Sequence, residues 1–154
     1  MKLSNNFRYE EFFVSDSFPE YAELLKEKHL DDEEMQTSFT EIALLLLQPI
    51  RDVVNTQVNI LSGYRDEWLN TKVGGVASSD HLLSMACDFT FNGDLEKLFD
   101  WAVTSLPYRQ IIYYPNNNFI HISVNDISQK EMKHEALVKL EGGYVSYDKY
   151  KQGA

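Results

Sequence analysis

The stretch Met85-Ala86-Cys87-Asp88-Phe89-Thr90-Phe91 sets a carboxylate in the middle of a run that otherwise reads as a buried strand. Side chains alternate between the two faces of a strand. Met85, Cys87 and Phe89 therefore share one face, and Ala86, Asp88 and Thr90 share the other. A charge among such neighbours is costly to desolvate unless a cation or a hydrogen-bond donor lies against it. The chain must therefore fold so that a distant group reaches Asp88. Arg65 could be that partner in a salt bridge, and a metal ion shared with other ligands is the alternative.

A second strand poses the same question. In Phe119-Ile120-His121-Ile122-Ser123-Val124 the isoleucines and Val124 make an apolar face, which leaves Phe119, His121 and Ser123 on the other. If the two strands pair, His121 and Asp88 become cross-strand neighbours. His81 and Asp88 are seven positions apart, which does not match the i, i+4 spacing of a helical zinc motif. His81 is instead expected on a loop. Two imidazoles, one carboxylate and an open fourth position make a catalytic zinc set rather than a structural one. The competing reading makes each histidine an ordinary core or surface residue and pairs Asp88 with Arg65. His29 and His134 sit in polar surroundings and read as surface residues. Cys87 has the wrong parity for the site and reads as core.

The rest of the chain bounds what surrounds this centre. Its 154 residues, 44% hydrophobic, suit one domain spanning 1–154 with a proper core. A single cysteine excludes an internal disulfide framework and a cysteine-based zinc cluster. The net charge of −10 repels a phosphate backbone, so no nucleic-acid partner is expected. Asp31, Asp32, Glu33 and Glu34 read as a solvated face. The N-terminus lacks the apolar core of a secretion signal, so synthesis in the cytoplasm is expected. The longest apolar run, Ile42 to Leu47, is far short of a membrane span, so no membrane insertion is expected. Helices are predicted near Glu20–Lys28, from a Ser38-Phe39-Thr40-Glu41 capping box to about Asn55 with a kink at Pro49, near Glu67–Lys72, and over Asp94–Leu106. Strands are predicted at 58–62, 85–91, 109–114 and 119–124, with a closing hairpin of 138–140 and 144–147. Helices followed by strands indicate an α+β fold, an antiparallel sheet with helices packed mainly on one side.

The ordered motifs Ser62-Gly63-Tyr64-Arg65, Leu69-Asn70, Val73-Gly74-Gly75, Ser79-x-His81, Ala86-x-Asp88 and His121-Ile122-Ser123 resemble the zinc D-Ala-D-Ala carboxypeptidase and L-alanyl-D-glutamate endopeptidase family. This family includes phage endolysins that cleave cell-wall peptides and has the Hedgehog/DD-peptidase fold. The resemblance runs from about Phe7 to Val124 and takes in Leu47-Gln48-Pro49-Ile50-Arg51. It implies a Zn2+ cofactor held by His81, Asp88 and His121. It further implies that Arg65 grips a substrate carboxylate or carbonyl, a task suited to its planar fork of donors. Ser79 would be a hydrogen-bonding partner beside the first ligand. The implied partner is a peptidoglycan stem peptide, with virion proteins as further possible partners. Work at the cell wall or periplasm would then follow release from the cytoplasm, or delivery as part of a virion.

Two departures stand out. Ser84 occupies a position where the family has glycine. Family enzymes also carry a glutamate a few residues before the last histidine, to take a proton from the attacking water and pass it to the leaving amine. Residues 112–120 here contain no acid. Asp126 and Tyr114 are candidate substitutes; Tyr113 is a possible hydrogen-bond donor, and Asp80 is expected to point away. The sequence thus reads as a zinc-dependent peptidoglycan peptidase, phage or prophage encoded. The alternative is a weak or inactive zinc-binding module that binds cell wall or serves in a virion.

Overall fold

The computed structural model describes residues 1–125 and 132–153. A 3-10 turn at Tyr9–Phe12 precedes α1 (Pro19–Lys28), α2 (Glu33–Ile42), α3 (Gln48–Val54), β1 (Val58–Ser62) and α4 (Glu67–Lys72). A second 3-10 turn at Asp80–Leu83 leads into β2 (Ala86–Phe91), α5 (Leu95–Ser105), β3 (Tyr108–Tyr114) and β4 (Phe119–Val124). The chain closes with β5 (Glu135–Leu140), β6 (Gly143–Ser146) and α6 (Tyr147–Gly153). The α+β class follows the sequence expectation.

The six strands form one sheet in the order β1-β2-β4-β3-β5-β6. All neighbours are antiparallel except β3 and β5, which run parallel. The expectation of a purely antiparallel sheet therefore needs this one correction. Both edges of β4 are already taken by β2 and β3, so β5 reverses direction after β4 but adds to the free edge of β3.

One sheet face is apolar, with Cys87, Phe89, Ile111, Tyr113, Ile120 and Ile122 in the buried cluster. Phe39, Ile42, Leu46 and Ile50 from the α2–α3 region, and Leu98, Phe99 and Ala102 from α5, complete that cluster. Burying these side chains supplies the main driving force for the fold, about 1.5–3 kcal/mol for each large one. The opposite face carries Asp88 and His121, and the segment between β1 and β2 brings His81 to it.

Some helix boundaries arise for different reasons than the sequence suggests. The Ser38 capping box is not used, since α2 begins a full turn and more earlier. Asp32 caps it by accepting from the Met35 backbone N–H at 3.1 Å, and Glu33 and Glu34 lie in its positively polarised first turn. Part of the acidic run is thus a helix start. The predicted kink near Pro49 takes the form of a π-helical turn over Ala43–Leu47, in which Gln48 N–H bonds back to Ala43 O. Pro49 has no N–H for the Leu45 carbonyl, so the ladder loosens in the turn before it. Asn55, left-handed at φ +51°, ends α3 where expected. The predicted second hairpin strand stops one residue early, because Ser146 Oγ accepts from Lys149 N–H at 3.2 Å and starts α6.

Candidate metal centre

Strand pairing brings two of the three converging groups together. In the register of β2 and β4, Asp88 lies directly opposite His121. Asp88 Oδ1 is 2.9 Å from His121 Nδ1 and 3.2 Å from His81 Nε2, and the two imidazole nitrogens are 3.3 Å apart. A tetrahedral zinc with bonds of about 2.0–2.1 Å sets its ligands roughly 3.3 Å apart, so the triangle matches three corners of such a site.

The protonation pattern points the same way. His81 Nδ1 lies 2.6 Å from the Gly63 carbonyl, an acceptor that requires the proton on Nδ1. In the neutral ring Nε2 then carries a lone pair, aimed at a carboxylate oxygen that is also an acceptor. Burial pushes the His81 pKa down and so favours this neutral form, against the opposing pull of Asp88. Burial works against the Asp88 charge, yet positive charge at the two imidazole edges holds the carboxyl well below the usual carboxylate range, so Asp88 is the anion and needs a cation beside it once His81 is neutral. An anionic oxygen and a lone pair facing each other are stabilised by a cation between them. The donor set fits zinc, with the Gly63 carbonyl fixing the ring of one ligand from behind.

The loop carrying His81 is tied down at several points. Ser79, nearly buried, accepts from the His81 backbone N–H at 3.2 Å and from Arg65 Nη2 at 3.1 Å. The Arg65 backbone N–H donates to His81 O at 3.3 Å. Ser84 ends the 3-10 turn in the left-handed region at φ +58°, which explains why glycine suits this position. Ser84→Gly is expected to stabilise the fold by about 0.5–1 kcal/mol, a left-handed penalty of roughly 1–2 kcal/mol offset by the extra chain entropy of glycine. A rise in the chemical denaturation midpoint at constant m would register it.

Asp80, next to the ligand, does point elsewhere. A register skip between Tyr108 and Gln110 leaves Arg109 as a bulge residue of β3. Its Nε reaches Asp80 Oδ2 at 3.4 Å, with both side chains less than one-fifth exposed. Arg109→Ala strands a largely buried carboxylate beside His81. It is expected to cost about 1–2 kcal/mol in unfolding free energy, and the companion Asp80→Asn should recover part of that loss in the double variant.

A cleft of about 200 Å³ opens beside this centre, with Asp88, Arg65, Ser62, Leu61, Phe119 and Asp16 among its walls. Leu61 is turned outward because the β1–β2 register skips between Ile60 and Ser62, which sets Ser62 opposite Asp88. Arg65 faces the cleft without forming an ion pair to Asp88, so the salt-bridge alternative does not hold. Its Nε is buried without a partner among the described residues. Burial lowers the guanidinium pKa, and nearby Asp88 opposes that shift.

The candidate proton acceptors fare unevenly. Asp126 lies outside the described residues. Tyr114 stacks on Phe119 at 4.3 Å, and its hydroxyl is 3.3 Å from that of Tyr144. Burial, with Tyr144 and Asp88 close by, raises the Tyr114 pKa far above neutral, so this group suits hydrogen-bond donation and not proton abstraction. Tyr113 lies on the core face against Phe99. His134 is exposed, as expected, and stacks on Tyr108. His29 is more enclosed than the sequence suggests, 3.1 Å from Asp32 and edge-on to Tyr64. Cys87 is fully buried in the core. Two features of the centre escape sequence reading: the role of the Gly63 carbonyl, Gly63 itself being part of the Ser62-Gly63-Tyr64-Arg65 motif, and Asp16, which reaches the cleft from an irregular loop.

Residues 18–123 match the family model described as Peptidase M15. The matched span covers Arg65, Ser79 and all three converging side chains. No curated protein matches the chain. The α+β architecture with a six-stranded sheet fits the Hedgehog/DD-peptidase-like fold of that family.

Proposed function

The chain belongs to the Peptidase M15 family, whose members are zinc-dependent, and on that premise we propose that it is a peptidase of peptidoglycan stem peptides, acting as a carboxypeptidase or an endopeptidase. The observation that carries this reading is the triangle of His81 Nε2, Asp88 Oδ1 and His121 Nδ1 at the edge of an open cleft. Zinc held by these three atoms would supply Lewis acidity to a peptide carbonyl and to the water that attacks it. Arg65, braced by Ser79, would orient the substrate through a carboxylate or carbonyl oxygen. Tyr114 would donate a hydrogen bond to the oxygen that gains negative charge.

A second reading has its own support. The hairpin from Tyr114 to Phe119 contains no acid, and Asp80 is paired with Arg109. A chain lacking a proton acceptor there would bind wall peptide and turn it over slowly, as a cell-wall-binding or virion module. Incubation with purified sacculi separates the two. Release of new amines that stops on chelation supports the peptidase, binding without products supports the module, and the absence of both cleavage and binding overturns the two readings together.

The likeness to phage endolysins extends the proposal to a phage or prophage product that reaches the wall on release, or within a virion. Among the described residues no helix is long and apolar enough to cross a membrane.

A further inference from the structure

The cleft beside the metal centre has opposite charges on its walls that do not neutralise each other. Arg65 lies beside Asp88, and its buried Nε has no partner among the described residues. Asp16 lines the same cleft and is exposed; among the described residues its side chain makes neither an ion pair nor a hydrogen bond. The loop that presents it is anchored on both sides. Phe13 packs edge-on against Tyr9 in the core, and Phe18 packs edge-on against Trp68. Ser15 Oγ accepts from the Phe18 backbone N–H at 3.1 Å, closing the bend around Asp16. A carboxylate held at the wall of a small cleft, with no cation of its own, is complementary to a ligand that brings one.

We propose that Asp16 is a specificity-determining residue that recognises a free amino group on the peptide whose carboxylate or carbonyl is held by Arg65. The preferred substrate class is then a short peptide with a cationic side chain or terminus near the scissile bond. A diamino acid residue of a wall peptide has this chemistry, and a fully acylated peptide lacks it. The inference rests on the peptidase or wall-binding reading above, but not on turnover.

The test uses the zinc-loaded full chain with a synthetic stem pentapeptide containing lysine, and with the same peptide acetylated at the lysine Nε. Affinity is read as KM where hydrolysis occurs and as Kd by calorimetry where it does not. An exposed ion pair contributes up to about 1 kcal/mol, so acetylation is expected to weaken the wild-type interaction by roughly 5-fold. In Asp16→Asn the two peptides should be equivalent, and in Asp16→Lys the acetylated form should become the better ligand. Each comparison is made within one protein, so a partly misfolded variant does not mimic the result. An acetylation effect that is absent from the wild type, or the same in all three proteins, overturns the assignment while leaving the peptide-binding reading intact. A wild-type protein that takes neither peptide overturns both.

Discussion

His81→Ala is expected to lower zinc affinity on the order of 10³-fold and to abolish zinc-dependent hydrolysis. Two ligands remain after the substitution, and each ligand of such a site contributes several kcal/mol of an apparent binding free energy of about 10–16 kcal/mol. Removing the ring also deletes the bond to the Gly63 carbonyl and leaves a space in a site where His81 is only 1% exposed. His81→Gln is therefore the better-controlled variant, since it keeps volume and polarity while replacing imidazole by a poor ligand. Chelator competition gives the affinity directly, and a denaturation curve of the metal-free protein shows whether the fold survived. Retained tight binding in both variants would mean that zinc is held elsewhere.

Gly63→Ala is the second substitution with a large expected effect, and it acts through backbone. A Cβ at Gly63 would meet the Phe12 carbonyl and come within 2.8 Å of Phe12 C and Cα. These are backbone atoms of the N-terminal 3-10 turn, which cannot rotate away as a side chain would. The neighbouring Tyr64 N–H donates to Phe12 O at 2.9 Å, so relieving the clash also breaks this bond. The expected cost is about 3 kcal/mol of stability. The Gly63 carbonyl would move with its residue, so zinc affinity should fall together with the unfolding midpoint. Gly74→Ala is a useful contrast because a Cβ there meets nothing within 4 Å, although φ is +78°. It should show backbone strain of about 1 kcal/mol without a zinc phenotype.

These effects show why part of the centre was legible in sequence and part was not. Asp88 and His121 are conspicuous because each sits in an alternating strand where its chemistry is out of place. Pairing those strands by their apolar faces is enough to bring the two together. His81 could be offered as the third ligand from its loop, but the resemblance was needed to favour it, since nothing about a histidine on a loop says where that loop goes. The Gly63 carbonyl is invisible to any reading of side chains. Asp16 looks like one more acid in a chain of net charge −10, and only the anchoring of its loop by Phe13 and Phe18 sets it against the cleft. The fold was read well where periodicity and length decide the element, as in α5 and β4. It was read less well where capping options compete. Both Asp32 and Ser38 can start a helix, and Asp32 prevails because the earlier start adds Met35 to the buried face. The parallel pairing of β5 follows from which sheet edges are free, a property of the assembled sheet and not of the segment.

The account stands on one ion bound by three atoms from a loop and two strands. A zinc-edge anomalous difference map from crystals of tag-free protein tests this most directly. The account predicts a single strong peak about 2 Å from His81 Nε2, Asp88 Oδ1 and His121 Nδ1. A crystal grown with saturating zinc that shows no peak between these atoms, or shows its peak on other residues, would contradict it.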